Sequence, residues 1–394
     1  MVFDSDDPDF LADPYPTFAA VRERAPVHWH DGLGLPVAVS HAAASEVLRD
    51  RSAGRIWTDK QPASAFPAFN LLHRNSLLET EPPRHTRLRR LISTAFARGH
   101  TNRLEPWVRA VAGQLVEGMA AAIETDGSAD LLEHLAAPLP VEVIAELLGV
   151  PAADRPRLQP WSNAIVKMYE YGLPPEGQAT AERAAAEFVD YLRALAAART
   201  SEPGDDLISD LVSVRDGSDR LTDDELVGTA VLLLMAGHEA TVNVIGNGSL
   251  ALLRHRDQWE RLVASPSLLP TAVEELIRFD APLQLFERTA TEATSVAGYE
   301  LAAGDRIAAL LGAAARDPAA FDEPDQLDIG RSPNPHLGFG GGIHYCVGAP
   351  LARVEIAAAL EALVTRLPGL RLAGVPERRQ EFVIRGLRTL PVTA

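Results

Sequence analysis

The sequence predicts a mainly α protein with small β-sheets. Three observations predict this class. Apolar residues recur at helical spacing over most of the chain, strand signals are short and few, and no repeat of fixed period, low-complexity tract or charge block interrupts the sequence. The last observation also predicts that residues 1–394 form a single domain.

The predicted elements can be justified in chain order. Alternating or β-branched runs predict strands, and apolar residues three and four positions apart predict helices. The helix around "LPVEVIAELLGVP" has Pro140 near its start and Gly149 followed by Pro151 at its end, as helix boundaries commonly do. The full set is a strand over 34–40, helices over 105–124, 139–151 and 181–198, a long helix from about 221, a hairpin over 295–311, a helix over 349–363 and a final strand over 381–392.

The long helix is the most informative element. Thr222 and Glu225 form a capping box at its start, and about thirty residues would make it about 45 Å long. Its middle is apolar on all sides, which is typical of a membrane span or of a helix through a large core. Four polar residues interrupt it too often for a span, so we predict a buried central helix; they are His238, Glu239, Asn243 and Asn247. Gly237 allows either a close approach to the backbone or a helical bulge.

Composition and charge exclude several classes of function. The chain is 46% hydrophobic and 23% charged, as in ordinary globular proteins. Its formal net charge of −17 argues against nucleic acid or an anionic membrane as the main partner, because both attract a basic face. One cysteine excludes an internal disulfide, a paired-cysteine zinc site and covalently attached haem. Residues 1–16 are acidic and rich in proline, unlike a secretory signal, so we expect a soluble, cytoplasmic protein.

The single cysteine lies in the stretch "HLGFGGGIHYCVGAP", residues 336–350. A lone Cys346 is by itself most simply a small buried hydrophobic residue. Its neighbours favour another interpretation, because glycines let a loop fold tightly beneath a planar ligand and bring backbone N–H groups toward the sulfur. These glycines are Gly340, Gly341, Gly342 and Gly348. A helix beginning after the loop would also stabilise a thiolate, so the stretch predicts a site for a metal bound through sulfur.

This stretch resembles the cysteine motif of the cytochrome P450 haem-thiolate monooxygenases in their soluble bacterial form. The pattern F-G-x-G-x-H-x-C-x-G-x-x-L-A-x-x-E is met at Phe339, Gly340, Gly342, His344, Cys346, Gly348, Leu351, Ala352 and Glu355. The resemblance implies a single cytochrome P450 fold, with the long central helix over a haem b (iron protoporphyrin IX) and the cysteine loop beneath it. It also implies that Cys346 binds the haem iron, with Phe339 and Gly348 shaping the cofactor site.

Two further segments resemble the same family. Glu275 and Arg278 in "EELIRF" match its Glu-x-x-Arg motif, and spacing of i to i+3 lets them pair on one helix face. The family implies that Arg331 joins them behind the cysteine loop.

The segment "RHTRLRR" is the second of these. It resembles the family segment that supplies His85 and Arg89 to the haem propionates, with Arg288 and His344 as the remaining partners. Arginine suits carboxylates because its fork makes paired, charge-assisted hydrogen bonds. For the other three arginines of the segment we expect a solvated basic face that helps to dock an acidic electron donor; they are Arg84, Arg87 and Arg90.

One departure from the family pattern concerns catalysis. Glu239 in "AGHEAT" matches the family's acidic residue, but the threonine that normally follows it, and helps to deliver protons during oxygen activation, is replaced by Ala240. Thr241 comes one residue late and, at about 100° per residue, should point elsewhere. Three explanations stay open: a substrate hydroxyl with ordered water completes the relay, a bulge near Gly237 turns Thr241 inward, or the reaction tolerates a different relay. We favour the first.

The predicted activity is O2-dependent oxidation, most simply hydroxylation, of a bulky and largely apolar small molecule such as a natural-product intermediate. Since the haem domain accounts for the whole chain, the resemblance implies a separate ferredoxin and ferredoxin reductase, or an equivalent electron donor. The alternatives are oxidative coupling, a peroxide-driven catalyst and a catalytically silent haem- or substrate-binding module. Candidate pocket residues, each of which could equally be an ordinary core residue, are Trp57, Phe66, Phe69, Trp161, Met168, Tyr169, Ala236, Leu283, Leu285 and Ile384.

Overall fold

The computed structural model describes residues 2–96, 99–214 and 217–394. Helices account for most of this part of the chain, which confirms the predicted class. Their bounds are α1 Pro8–Ala12, α2 Tyr15–Arg22, α3 His41–Arg49, α4 Pro67–Arg74, α5 Arg84–Phe96, α6 His100–Asp126, α7 Pro138–Leu148, α8 Leu158–Val166, α9 Pro175–Ser201, α10 Leu207–Ser213, α11 Asp223–Arg254, α12 Arg256–Ala264, α13 Leu269–Phe279, α14 Leu311–Ala314 and α15 Ala349–Arg366.

The strands are short. Their bounds are β1 Val27–His30, β2 Leu35–Ala38, β3 Ala53–Gly54, β4 Ala129–Asp130, β5 Leu285–Ala290, β6 Thr294–Val296, β7 Tyr299–Leu301, β8 Arg306–Leu310, β9 Arg371–Leu372, β10 Glu377–Arg378, β11 Leu387–Thr389 and β12 Pro391–Thr393.

The chain groups into two compact units, each built from segments that are distant in sequence. The first comprises Met1–Gly54, Arg109–Leu139 and Ala240–Ala394, and the second comprises Arg55–Val108 and Pro140–Glu239. The prediction of one domain over 1–394 stays a prediction.

The first unit contains the strands. Its larger sheet has the order β1-β2-β8-β5-β3, in which β2 and β8 are parallel and the other neighbours are antiparallel. Helix α3 packs on this sheet through Val47 and Leu48, which share a buried apolar cluster with Ile307 of β8 and with Leu337, just before the cysteine loop. The sheet therefore fixes both Arg288 of β5 and the start of that loop.

The second unit is helical. Glu182 of α9 accepts hydrogen bonds from the backbone N–H groups of Ala68 and Phe69 at 2.8 and 3.0 Å, which satisfies the N-terminal turn of α4. At the start of α11, the Thr222 N–H donates to Glu225 Oε2 and the Glu225 N–H donates to Thr222 Oγ1, so the predicted capping box is confirmed.

Helix α11 is 32 residues long and α-helical at every residue, which gives no support to a bulge near Gly237. Instead, Gly237 is a point of close approach: a Cβ there would lie 3.0 Å from Ile144 Cδ1 of α7. Among the residues that the structure describes, α11 is also the helix long and apolar enough to cross a membrane, yet 78% of its apolar window is buried inside the protein. This burial confirms the predicted buried central helix.

Two predictions of β-structure need correction. The hairpin forms from β6 and β7 alone, whereas β8 leaves it and pairs with β5 and β2. The single strand expected over 381–392 is wrong: β11 pairs with β10, β12 pairs with β4 and β9, and Ile384 makes only an isolated bridge to Leu283. Helix α7 begins at Pro138, two residues before Pro140.

Candidate functional site

Cys346 lies in a tight loop three residues before the start of α15. Its backbone N–H donates to the Phe339 carbonyl oxygen at 3.0 Å, and the Tyr345 N–H donates to the Gly342 carbonyl oxygen at 3.2 Å. The side chain is partly exposed and forms no disulfide. The loop thus presents its sulfur beside the N-terminus of an 18-residue helix, where partial positive charge favours a thiolate.

Two positions of the loop have backbone conformations that favour glycine. Gly340 and Gly342 have φ values of 72° and 64°, which other residues adopt only with strain. A Cβ on Gly348, which caps α15, would lie 3.9 Å from the Cys346 sulfur. That distance is an ordinary van der Waals contact, so the sulfur does not by itself require glycine at position 348. A partly exposed cysteine beside a helix N-terminus fits a haem-iron ligand.

The predicted ion network behind the loop is confirmed. Arg278 donates to both carboxylate oxygens of Glu275 at 2.7 and 2.8 Å, and Arg331 Nε donates to the same carboxylate at 3.1 and 3.2 Å. Asn334 Nδ2 and the Asp328 N–H each add a hydrogen bond of 3.0 Å. Both Glu275 and Arg278 are fully buried, so this network fixes the chain leading into the cysteine loop.

The residues predicted to bind propionates lie in each of the two units. Arg288 of β5 is buried, with one donor on the Glu287 carbonyl oxygen at 2.9 Å, and His344 is partly exposed in the cysteine loop. On α5, buried His85 and half-buried Arg89 lie one turn apart. Both pairs are cationic or hydrogen-bonding groups of the kind that hold carboxylates.

The expected basic face on α5 is wrong for Arg84 and Arg87. Both are half-buried and pair with Glu225, and Arg84 also donates to Asn75 Oδ1 at 2.9 Å. Glu225 therefore serves the capping box of α11 and two arginines at once, which makes these arginines structural. Arg90 remains exposed, with Asp219 3.7 Å away.

Helix α11 carries a narrow accessible stripe in an otherwise buried stretch. Leu232, Ala236 and Ala240, each four residues apart, are exposed or partly exposed. Thr241 is buried, with 3% of its surface exposed, and so lies off this stripe, as the helical rotation predicts. Glu239 is buried too, and its Oε2 lies 3.6 Å from Nε2 of His238.

Two of the predicted pocket aromatics, Trp57 and Phe69, lie near each other in the second unit. The rings of Trp57 and Phe69 are 5.8 Å apart, and both contact His73, at 4.5 and 4.0 Å. Phe66 is buried beneath the Lys60 ammonium at 5.4 Å, at the start of α4.

His73 connects this cluster to Tyr169. Since the Phe69 carbonyl can only accept, His73 Nδ1 carries the proton that it donates there at 2.8 Å, and Nε2 accepts from the Tyr169 hydroxyl at 2.8 Å. Burial lowers the pKa of His73 and raises the pKa of Tyr169, so both side chains are neutral at pH 7. Sequence reasoning gave no weight to His73, because a single histidine on a helix carries no signal.

The other pocket candidates differ in burial and in contacts. Trp161 packs against Phe188 and Tyr191, and its Nε1–H donates to Glu187 at 2.8 Å, which are the contacts of a core residue. Met168 is half-buried near Tyr169 in sequence. Leu283 is partly exposed, whereas Leu285 and Ile384 are buried. The structure brings Leu283 and Ile384 together across their isolated bridge.

Comparisons with known proteins identify the family to which the chain is similar. The family model described as Cytochrome P450 matches residues 37–368. The chain is 42% identical to Cytochrome P450 monooxygenase PikC of Streptomyces venezuelae over 98% of its length and 92% of the relative, and 44% identical to the Mycinamicin IV hydroxylase/epoxidase of Micromonospora griseorubida over 81% and 80%. The solved structure of the bacillaene polyketide synthase cytochrome P450 PksS of Bacillus subtilis 168 superimposes with a TM-score of 0.89 at 35% identity, covering 99% of each chain.

Proposed function

The chain belongs to the cytochrome P450 family of haem-iron monooxygenases, and we propose that it hydroxylates a bulky, largely apolar natural-product intermediate, taking two electrons from a separate ferredoxin and ferredoxin reductase or an equivalent donor. The observation that carries the proposal is the loop around Cys346, the chain's single cysteine, partly exposed beside the N-terminus of α15.

The cofactor is haem, and haem b is the form that we propose. When bound, haem supplies the iron centre at which O2 is activated. Cys346 binds that iron as thiolate, while Phe339 and Gly348 shape the loop around it. We assign the propionates to Arg288 and His344, and to His85 and Arg89.

The chain's own groups define how protons reach the reaction. Glu239 is the buried carboxylate that takes up and passes on protons. Ala240 is accessible but has no hydroxyl, and Thr241 lies off the stripe. We therefore propose that a hydroxyl of the substrate, with ordered water, takes the place of the missing threonine.

The substrate class rests on apolar side chains and on the relatives. The second unit offers apolar surface at Trp57 and Ala236, and the first unit offers it at Leu283. The buried Phe69 lies beside Trp57, and the buried Ile384 forms a bridge with Leu283. One relative is named as a hydroxylase and epoxidase of mycinamicin IV, which supports a natural-product substrate for this chain. Trp161 is left out, because its contacts explain its burial without a ligand.

The decisive experiment is the absorption spectrum of the reduced, CO-treated protein. We expect the strongly red-shifted band of thiolate-ligated haem, lost in Cys346→Ser and retained in Ile343→Val, an exposed neighbour in the same loop. A wild-type protein without that band, or a serine variant that keeps it, would refute the proposal. Turnover with peroxide alone and none with O2 and a ferredoxin system would instead select the peroxide-driven alternative.

A further inference from the structure

A second ion network lies against the cysteine loop, distinct from the one centred on Glu275. Glu274 of α13 accepts two hydrogen bonds from Arg353 of α15, from Nε at 2.6 Å and from Nη2 at 3.0 Å. It accepts a third from His336 Nε2 at 2.9 Å. One carboxylate thereby joins α13, α15 and the residue that opens the loop segment.

The tautomer of His336 follows from its other contact. The Gly338 N–H donates to His336 Nδ1 at 3.2 Å, so the ring proton belongs on Nε2, which faces Glu274. The His336 side chain is 4% exposed. With both ring nitrogens used in this way, the buried imidazole has one orientation only, and it fixes the backbone at Gly338.

The Glu274 network contacts the aromatic ring of Phe339. The Arg353 guanidinium carbon lies 4.5 Å from the Phe339 ring centroid, within the range of a cation–π contact. The His336 ring lies 5.9 Å from the same ring. The Phe339 carbonyl oxygen, in turn, accepts the N–H of Cys346 at 3.0 Å. Only one residue therefore separates the ion network from the backbone of the cysteine.

The charges of the network are stable. Burial alone would raise the pKa of Glu274, but the hydrogen bonds from His336 and Arg353 outweigh it and hold that pKa at about 2. The hydrogen bond to Glu274 raises the pKa of Arg353. Both shifts favour the charged forms, so the bidentate pair is ionised at pH 7.

We propose that Glu274, acting through His336 and Arg353, is a positioning residue that holds Phe339 and hence the backbone N–H of Cys346, so that the sulfur keeps one geometry toward the haem iron. This inference rests on the proposed role of Cys346 as the iron ligand. It predicts that the network controls how long the sulfur stays bound as thiolate, beyond any contribution to overall stability.

The test compares variants of the full, haem-loaded protein. Glu274→Gln keeps the shape and removes the charge, Arg353→Met removes both the fork and the charge, and Arg353→Lys keeps the charge without the fork. The matched control is Arg366→Met near the other end of α15, which breaks the exposed pair with Glu117. The readouts are the rate at which the red-shifted CO band converts to that of haem without thiolate, the reduction potential, and the unfolding midpoint.

We expect Glu274→Gln and Arg353→Met each to accelerate the loss of the thiolate band about tenfold, since a charge-assisted hydrogen bond in a partly buried site is at stake. The double variant should be about as fast as either single variant, because the residues act as one network. Arg353→Lys should be intermediate, and Arg366→Met should match the wild type. The reduction potential of the first two variants should shift, whereas that of Arg366→Met should not.

Three results would overturn the inference. Conversion rates and potentials equal to the wild type would do so, and so would equal effects from Arg366→Met, which would reveal general destabilisation of α15. Variants with lower unfolding midpoints but wild-type spectra would show a purely structural role. In all three cases the wild-type protein shows the thiolate band, so the proposed function stands and only this inference fails. A wild-type protein with no thiolate band would instead refute the proposed function, and this inference with it.

Discussion

Gly342 lies directly against the end of α3: a Cβ at this position would lie 2.6 Å from the Leu48 carbonyl oxygen. The atom in the way belongs to the backbone, so no side-chain rotation could relieve the contact. Gly342 also has a φ of 64°, which disfavours any side chain. The cysteine loop is thus seated on α3 at a point where only glycine fits.

Gly342→Ala should therefore lower the free energy of unfolding by about 2–4 kcal/mol, the combined cost of a strained φ and an overpacked contact. The haem content per protein chain should fall with it. The adjacent Gly341→Ala is the matched control, because Gly341 has extended backbone and its Cβ would meet side chains rather than backbone, Leu48 at 3.3 Å and Arg49 at 3.5 Å. Urea titration and haem quantification check both variants. Equal losses from the two substitutions would contradict the argument.

Glu275→Gln should destabilise the protein by about 3–5 kcal/mol, because it leaves the fully buried Arg278 without its counter-charge. The neutral amide would also face Arg331 and Asn334, which donate to the carboxylate. The control is Glu260→Gln, which removes an exposed pair with Arg256 and should cost less than about 0.5 kcal/mol. Urea-induced unfolding measures both variants. A loss under about 1 kcal/mol for Glu275→Gln, roughly the size of a surface effect, would contradict the prediction.

The cysteine loop and the Glu275 network were predictable because their residues form motifs with fixed spacing. The Glu274 network was not. Glu274 precedes Glu275 in the chain and has the ordinary appearance of a surface carboxylate, and Arg353 lies 79 residues away on another helix. Each of these residues acquires its role only from the packing of α13 against α15, which no local pattern encodes.

Helices could be predicted from the local sequence, whereas strand pairing could not. The periodicity of 181–198 and 349–363 identified α9 and α15, since a helix satisfies its backbone hydrogen bonds locally. Residues 381–392 read as one strand, yet they divide between two sheets. One partner of β12 is β4, about 260 residues earlier, and strand registers depend on such distant partners.

The stability should depend on pH through Glu355, a fully buried carboxyl whose pKa is raised by burial. Its folded-state pKa lies above its unfolded value, so the folded state retains a proton that the unfolded chain releases. The contribution of Glu355 to the free energy of unfolding is therefore fully present below the pKa of the unfolded chain. Above that pKa it declines by about 1.4 kcal/mol per pH unit until the folded-state pKa is reached.

Glu355→Gln removes that dependence, so its unfolding free energy relative to the wild type should increase as the pH rises above the ordinary range of a glutamate, with a slope of at most about 1.4 kcal/mol per pH unit. Glu361→Gln, on the partly exposed side of the same helix, is the control for loss of a carboxylate. Urea titrations at three pH values measure the difference. A difference between Glu355→Gln and the wild type that stays constant with pH would refute the assignment.

Ala240→Thr should have little effect on product formed per reducing equivalent with the native substrate, within about twofold, if a substrate hydroxyl completes the proton relay. With an analogue lacking that hydroxyl, the same variant should gain. Ala236→Thr, one turn earlier on the accessible stripe of α11, controls for added bulk. Product and NAD(P)H consumption measured together give the ratio. A large gain with the native substrate would exclude substrate assistance.

Tyr169 and His73 offer a test of the aromatic cluster. Tyr169→Phe leaves buried His73 Nε2 without the hydroxyl that donates to it at 2.8 Å, which should cost about 1–2 kcal/mol in unfolding free energy. The matched control is Tyr191→Phe, which removes a longer hydrogen bond of 3.2 Å to the partly exposed Asp154 and should cost less. Both substitutions delete one hydroxyl from a tyrosine of the second unit, so they differ mainly in what each hydroxyl contacts.

The variants Tyr169→Phe and Tyr191→Phe also show whether the aromatic cluster contacts the substrate or only packs in the core. If the cluster of Trp57, Phe69 and His73 contacts the substrate, Tyr169→Phe frees the imidazole to rotate and should change ligand dissociation constants by about fivefold, the equivalent of one hydrogen bond. Tyr191→Phe should leave them unchanged. Titration of a ligand panel, followed by the spin-state change of the haem, gives these constants. If Tyr169→Phe loses stability but binds every ligand as the wild type does, the cluster is core packing and the substrate is recognised elsewhere.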